Sequence, residues 1–234
     1  MNAKVSAKIN AKVNSKVSAK VNLKVKSIPD LSYETEVGYP ILRVAGADEV
    51  GRGCVAGPVV AAALILPPLI DRIAHPWLNE INDSKLLSPA SRERLSPLIQ
   101  SWALSFAIGT ATVEEIDQIN ILNASFLAME RALKSLNPLP QRILVDGKFL
   151  PKKPLCAPAT AVIKGDQKCL SIAAASIIAK VWRDQHMTEL DLQYPGYGFA
   201  QHKGYPTLIH TRALKLKGAT RVHRRSFKTV FAVL

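Results

Sequence analysis

One stretch limits what this chain can become. From Val44 to Leu66 it starts apolar, sets two adjacent carboxylates, Asp48 and Glu49, where the apolar pattern stops, and turns on glycines around Arg52. It re-enters apolar sequence at Pro58. Strands are expected at about 42–48 and 58–66, joined as a hairpin with charge at its tip; Pro67-Pro68 ends the second, because proline cannot donate to a ladder. Two neighbouring acids at a half-buried strand end repel each other, which raises a pKa or demands a cation. A divalent metal ion is the simplest compensation, and a solvated hairpin tip is the alternative.

Two more strands run into carboxylates. Arg142-Ile143-Leu144-Val145 leads to Asp146-Gly147, and Ala159 to Ile163 leads to Lys164-Gly165-Asp166. Singly, each acid reads as ordinary turn chemistry. If the three strands share a sheet and point the same way, Asp48, Glu49, Asp146 and Asp166 converge on one edge, an all-oxygen set suited to Mg²⁺ or Mn²⁺. A further strand is expected across Trp102 to Ala111. Ser88 can cap a helix with Pro89 at its first position, and Thr112 with Glu115 forms a capping box for another. Ile121 to Leu136 reads as a second helix after that box, and 170–193 as a long one rich in alanine and isoleucine. Ser226 is a candidate cap for a short last helix. Asn82-Asp83-Ser84-Lys85 is a polar knot, either a phosphate grip or a solvated loop.

The 234 residues, 48% hydrophobic, suffice for a full core, with the folded part expected to start near Tyr39-Pro40. The net charge of +13 points to a polyanionic partner such as nucleic acid. No uninterrupted apolar run is long enough to span a bilayer. Cys54, Cys156 and Cys169 have neither zinc-site nor disulfide-framework spacing, so a reducing cytoplasm is expected. Over Met1 to Ser27, lysine recurs every four residues from Lys4 to Lys24, each followed by valine or isoleucine. With Lys26 this makes seven positive charges and no acid. A four-residue step drifts around a helix and fixes no apolar face, so a disordered basic arm over 1–27 is expected. It either attracts phosphates weakly or does nothing.

The motifs resemble the type 2 ribonucleases H, and among them bacterial ribonuclease HII. The matching pieces are Gly46-Ala47-Asp48-Glu49-Val50-Gly51-Arg52-Gly53, Asn82-Asp83-Ser84-Lys85, Val145-Asp146-Gly147, Lys164-Gly165-Asp166 and Ala173 to Val181 with Arg183-Asp184. Beyond these come Tyr197-Gly198-Phe199, His202-Lys203-Gly204-Tyr205-Pro206 and His223-Arg224-Arg225-Ser226-Phe227. They stand in the family's order across about 40–227. Cys54 departs from the pattern, where proline is expected after the Gly-Arg-Gly turn. The resemblance implies an α/β fold, ribonuclease H-like, with a mixed five-stranded sheet flanked by helices and a C-terminal helical extension over about 194–234 that helps hold a duplex.

It also implies hydrolysis of RNA in RNA–DNA hybrids and at single ribonucleotides in duplex DNA, by a monomer. Two divalent ions, Mg²⁺ or Mn²⁺, would be held by Asp48, Glu49, Asp146 and Asp166. The implied substrate contacts are Gly51, Arg52 and Gly53 at the 2′-hydroxyl and nearby phosphates, Tyr205 on the next sugar, and Ser84, Lys85, Lys180 and Arg183. A non-catalytic nucleic-acid-binding module would share the charge but give no reason for four acids at strand ends. A small-phosphate hydrolase would share the acids but not need the charge.

The arm yields the first prediction. Deleting residues 1–27 should leave folding and cleavage intact while flattening the salt dependence of duplex binding, since each phosphate contact contributes about 0.9 to the log–log slope. A truncated protein that fails to fold would show the segment to be integral.

Overall fold

The structure is a computed structural model and describes residues 28–234, so the expected arm at 1–27 lies outside the described residues. Five strands form one mixed sheet: β1 (Val44–Val50), β2 (Val59–Ile65), β3 (Ser105–Ala111), β4 (Arg142–Asp146) and β5 (Ala159–Val162). Their order is β3-β2-β1-β4-β5. β1 to β3 form an antiparallel meander, while β1, β4 and β5 run parallel. β2 is buried along its whole length, as its unbroken apolar sequence requires. β3 starts at Ser105 rather than Trp102 because the preceding helix keeps Trp102 as its last residue.

Helices cover both faces. α1 (Ser32–Glu36), α2 (Pro89–Trp102), α3 (Val113–Lys134), α4 (Leu170–Gln193), α5 (Phe199–His202), α6 (Leu208–Lys217) and α7 (Lys228–Phe231) follow in chain order. Leu95 and Ile99 of α2 and the Ile172–Ala179 stretch of α4 form one core with Val44, Ala62 and Leu64. Ala128, Met129 and Leu133 of α3 form the opposite core with Ala45, Ala61 and Val145. A third cluster joins the C-terminal helices to Val55, Ala56 and Met187.

Ser88 and Thr112 cap α2 and α3 as read, the latter in a full capping box. α3 is the two helices expected after Thr112, meeting at a kink at Asn120, so the second starts at Ile121 as read. Asn120 takes φ 67°, and its side chain accepts from the amides of Leu122 and Asn123, restarting the helix. Ser226 does not cap α7: Phe227 is the N-cap residue, and Ser226 Oγ donates to Asp117 Oδ1 at 2.5 Å. α6, capped by Thr207, is an element the periodicity did not mark individually.

Packed chain begins ahead of Tyr39. α4 has no side-chain cap of its own at Cys169, and Glu34 of α1 supplies one from outside, accepting from Ser171 N at 2.8 Å and Ser171 Oγ at 2.6 Å. Burial raises the Glu34 pKa.

Two glycines let helices close on the sheet. A Cβ at Gly46 of β1 would overlap the Ser171–Ile172 peptide of α4, and one at Gly109 of β3 would overlap the Ala128 carbonyl of α3. Gly46→Ala should therefore push α4 off β1 and cost about 1–3 kcal/mol as an overpacked core does. A melting temperature unchanged from the parent would refute this close approach.

Candidate active site

The parallel run β1-β4-β5 does what the strand-end acids required. Ala47 pairs with Val145, and Asp146 with Val162, so Asp48, near the end of β1, stands beside Asp146 at the end of β4, and Asp166 follows β5 in the short 3₁₀ turn Gly165–Gln167. Each acid has one oxygen engaged. Asp48 Oδ1 accepts from Glu49 N at 2.7 Å, Glu49 Oε1 pairs with Arg52 at 3.1 Å, Asp146 Oδ1 accepts from Gly165 N at 2.7 Å, and Asp166 Oδ2 faces Lys85 Nζ at 3.5 Å. The other oxygen of each has no hydrogen bond to a described residue. Burial, then repulsion from Glu49, Asp146 and Asp166, raises the Asp48 pKa well above the usual carboxylate range. Burial also raises Glu49, against the pull of Arg52, and raises Asp166, with Asp146 and Asp83 adding to it.

This is a site short of positive charge. Burial works against the charge on Lys85, yet Asp48, Asp166 and Asp83 outweigh it and lift its pKa. The donor set, all carboxylate with four oxygens to spare, fits hard divalent cations. Among the described residues no three acid, histidine or cysteine side chains form a ready-made metal cluster. An open groove of about 270 Å³ lies alongside, lined by Glu49, Arg52, Asp146, Lys148 and the apolar Phe126 and Phe149.

The polar knot is packed rather than solvated. Ser84 is buried, Asp83 accepts from Lys85 N at 2.9 Å and from Gln167 Nε2 at 3.1 Å, and the knot is thereby tied to the Asp166 turn. Lys180 is held by Asp184 at 2.7 Å with its side chain only 15% exposed.

Behind the Gly51-Arg52-Gly53 turn stand two arginines with no exposed surface. Arg183 donates to the carbonyls of Pro58 (3.2 Å), Ala56 (3.1 Å) and Lys203 (2.8 Å). Arg224 donates to those of Gly57 (2.9 Å), Cys54 (2.6 Å) and Arg52 (3.2 Å) and lies over the Phe227 ring. Arg183 is thus a strut facing inward, which corrects its place among the substrate contacts. Gly51 has φ +97°, and a Cβ there would overlap Arg183. Gly53 faces out, and a Cβ would meet only Tyr205 Cε1, at 3.8 Å. Tyr205, 42% exposed, stands across from the turn.

Three buried histidines sit beneath Tyr205. His202 stacks on His210 at 4.4 Å, and His210 Nε2 is 3.2 Å from His223 Nε2. His210 Nδ1 lies 2.9 Å from the Tyr205 carbonyl, and His223 Nδ1 accepts from Thr220 N at 3.0 Å. Pattern reading gave His210 no role; only its capped helical spacing from Thr207 hinted that it points inward.

A mixed five-stranded sheet with helices on both faces and carboxylates at the ends of its parallel strands defines a ribonuclease H-like enzyme. The ribonuclease H2 structure from Pyrococcus horikoshii OT3 has this fold, with a TM-score of 0.65 and 31% identity over 82% of this chain and 97% of that one. The family model for ribonuclease HII matches residues 45–230, and the chain belongs to that family. It is 52% identical to the ribonuclease HII of Nitrosococcus oceani over 188 residues, 80% of this chain and 90% of the relative. It is 54% identical to that of Ruegeria pomeroyi over 193 residues, 82% and 79%. It is accordingly a ribonuclease H, an endonuclease for the RNA of RNA–DNA hybrids, from a family that depends on divalent metal.

The histidines give a pH prediction. Burial depresses both His210 and His223 to about 4, with the charge of His202 adding to it at His210 and that of His210 at His223. The unfolded chain binds these protons near the ordinary histidine value of 6.5, so it gains protons first as pH falls. Their contribution should be complete above pH 6.5 and drain away between 6.5 and 4. The melting temperature should drop across that window, and less steeply in His210→Asn; an identical slope in both would rule the pair out as the cause.

Proposed function

We propose that this enzyme cuts the RNA strand of hybrids and also cuts 5′ of a single ribonucleotide embedded in duplex DNA, leaving 5′-phosphate and 3′-hydroxyl ends. The observation that carries the reading is the buried Asp48 with its raised pKa, surrounded by three further acids and offset only in part by Lys85 and Arg52. Asp48, Glu49, Asp146 and Asp166 would hold two Mg²⁺ or Mn²⁺ ions, which when bound supply an activated hydroxide and stabilisation of the leaving 3′ oxygen. The chain's own share is placement and electrostatics.

The turn Gly51-Arg52-Gly53 offers backbone amides and carbonyls to a 2′-hydroxyl, a group that only a close, uncluttered backbone can approach. Arg52, 49% exposed at its side chain, can leave Glu49 for a substrate phosphate. Lys85, 75% exposed at its side chain, and the packed Ser84 lie on the Asp166 side, where a phosphate would need a counter-charge. Lys180 can exchange Asp184 for a phosphate further along the strand. Tyr205 packs on the sugar after the ribonucleotide. The enzyme works as a monomer in the cytoplasm, removing ribonucleotides during DNA replication and repair; its three unpaired cysteines suit a reducing compartment. No helix among the described residues is long and apolar enough to cross a membrane.

Incubation with Mg²⁺ and three matched duplexes tests this: one ribonucleotide in DNA, a full RNA strand on DNA, and all DNA. The first two should be cut and the third not. Asp48→Asn and Asp146→Asn should each abolish cleavage with duplex binding largely retained, and normal turnover by either would sink the assignment. Gly53→Val would put a side chain between the turn and the Tyr205 ring and should depress cleavage far more than binding. Tyr205→Ala should lose more than Tyr205→Phe, on the scale of a stacking contact worth about 1–3 kcal/mol.

A further inference from the structure

The turn and Tyr205 face each other across a narrow gap, yet they belong to chain segments about 150 residues apart, and neither holds the other through a side-chain hydrogen bond. The segments that carry them meet directly, Val55 N donating to Gly204 O at 2.9 Å and Cys54 Sγ to Lys203 O at 3.4 Å, with Arg183 bridging Ala56 and Lys203, and both are also held by one short segment behind them. Val222 to Arg224 runs antiparallel to the end of the turn: Gly57 N donates to Val222 O at 2.8 Å, and Arg224 N donates to Val55 O at 2.9 Å. From this segment Arg224 reaches the Arg52, Cys54 and Gly57 carbonyls. Its neighbour His223 reaches the other way. Because Thr220 N–H donates to His223 Nδ1, the proton of His223 is on Nε2 and faces His210 Nε2 at 3.2 Å. His210 then carries its proton on Nδ1, 2.9 Å from the Tyr205 carbonyl. Two consecutive residues thus hold both walls of the gap, one through a guanidinium and one through an imidazole pair.

We infer that His223-Arg224 is a positioning element that sets the spacing between the Gly51-Arg52-Gly53 turn and Tyr205, and with it the preference for a ribonucleotide followed by DNA. This rests on the proposed reading of the turn and Tyr205 as the sensor of that junction. His223 and Arg224 are both buried, so neither touches substrate. Arg224 serves the wall that every ribonucleotide substrate uses. His223 serves the Tyr205 wall, which matters most when the next sugar lacks a 2′-hydroxyl and the ring can pack flat on it. In a full RNA strand the next sugar carries that hydroxyl, the ring sits less closely, and its exact position counts for less. Loosening each residue should therefore have a different signature on the two substrates.

The test measures kcat and KM on the single-ribonucleotide duplex and on the full hybrid, using the full-length protein with Mg²⁺. His223→Leu should lower the junction-to-hybrid ratio of kcat/KM about ten-fold or more, since a misplacement of the order of an ångström costs up to about 100-fold. His223→Gln, whose side-chain amide can still donate where Nε2–H does, should restore most of the ratio. Arg224→Lys, with one ammonium for three carbonyls, should lower both substrates together. Should His223→Leu fail to fold, His210→Leu against His210→Asn makes the same comparison, because the asparagine amide replaces Nδ1–H toward Tyr205. A merely destabilised protein would lose both substrates in proportion and leave the ratio fixed. A parent that cuts the junction duplex with a ratio unchanged in the leucine variants, or unrestored in Gln or Asn, overturns this inference alone. A parent that cuts the hybrid but not the junction duplex overturns the sensor reading, and the inference with it.

Discussion

Mutual repulsion among four carboxylates is the constraint around which this molecule is built. Like charges gathered at one sheet edge cost more the drier their surroundings, and burial is the first cause of the raised pKa at Asp48, Glu49 and Asp166 alike. The sheet topology forces the gathering: β1, β4 and β5 are parallel neighbours, so their C-terminal ends lie side by side. The cost is contained locally by spending one oxygen of each acid on a backbone amide or a cation. The other oxygen stays available for a metal ion. A core that close-packs from α4 to β1 at Gly46 keeps the edge from splaying apart.

The turn beside the acids has the opposite difficulty. Under the proposed function it has to expose backbone and few side chains, which gives it little apolar surface with which to fix itself. Arg183 and Arg224 solve this with six donors to six carbonyls, five of them in the Arg52–Pro58 loop. Burial, and then the neighbouring Arg183 charge, depresses the Arg224 pKa to about 9, which leaves it charged at neutral pH. Among the described residues neither guanidinium has a carboxylate partner; carbonyl dipoles replace most of the water they lost, with Arg224 Nη2 left buried and without a partner. Charge on the two sides of the turn is therefore met by different means, one engaged oxygen on each acid in front and backbone dipoles behind.

The strands and the acids were legible because their signals are local. An apolar run that stops at Asp48-Glu49, and two shorter ones that stop at Asp146 and near Asp166, announce both the strand and its functional end. The capping residues Ser88 and Thr112 were equally plain. The break between the two helices of α3 was legible as well, although nothing in the periodicity singled out Asn120, whose side chain caps the second. Ser226 was misread because a serine before a short helix has a better partner in Asp117, a residue 109 positions away. Arg183 was misread for the same reason. The resemblance places it among the substrate contacts, and nothing nearby in sequence reveals that two of its partners are carbonyls 125 and 127 positions earlier.

That distance separates the two halves of the site. The four acids are side chains whose neighbours in sequence already declare them, so a motif suffices to find them. The proposed selectivity would rest on backbone, and backbone is placed by whatever donors the fold delivers to it. Here Arg224 reaches Gly57 across 167 positions and His223 reaches the Tyr205 carbonyl only through His210. On the proposed reading, the four carboxylates could therefore be intact in a chain whose discrimination is lost, because His223 and Arg224, which hold the turn and Tyr205, are buried away from any substrate.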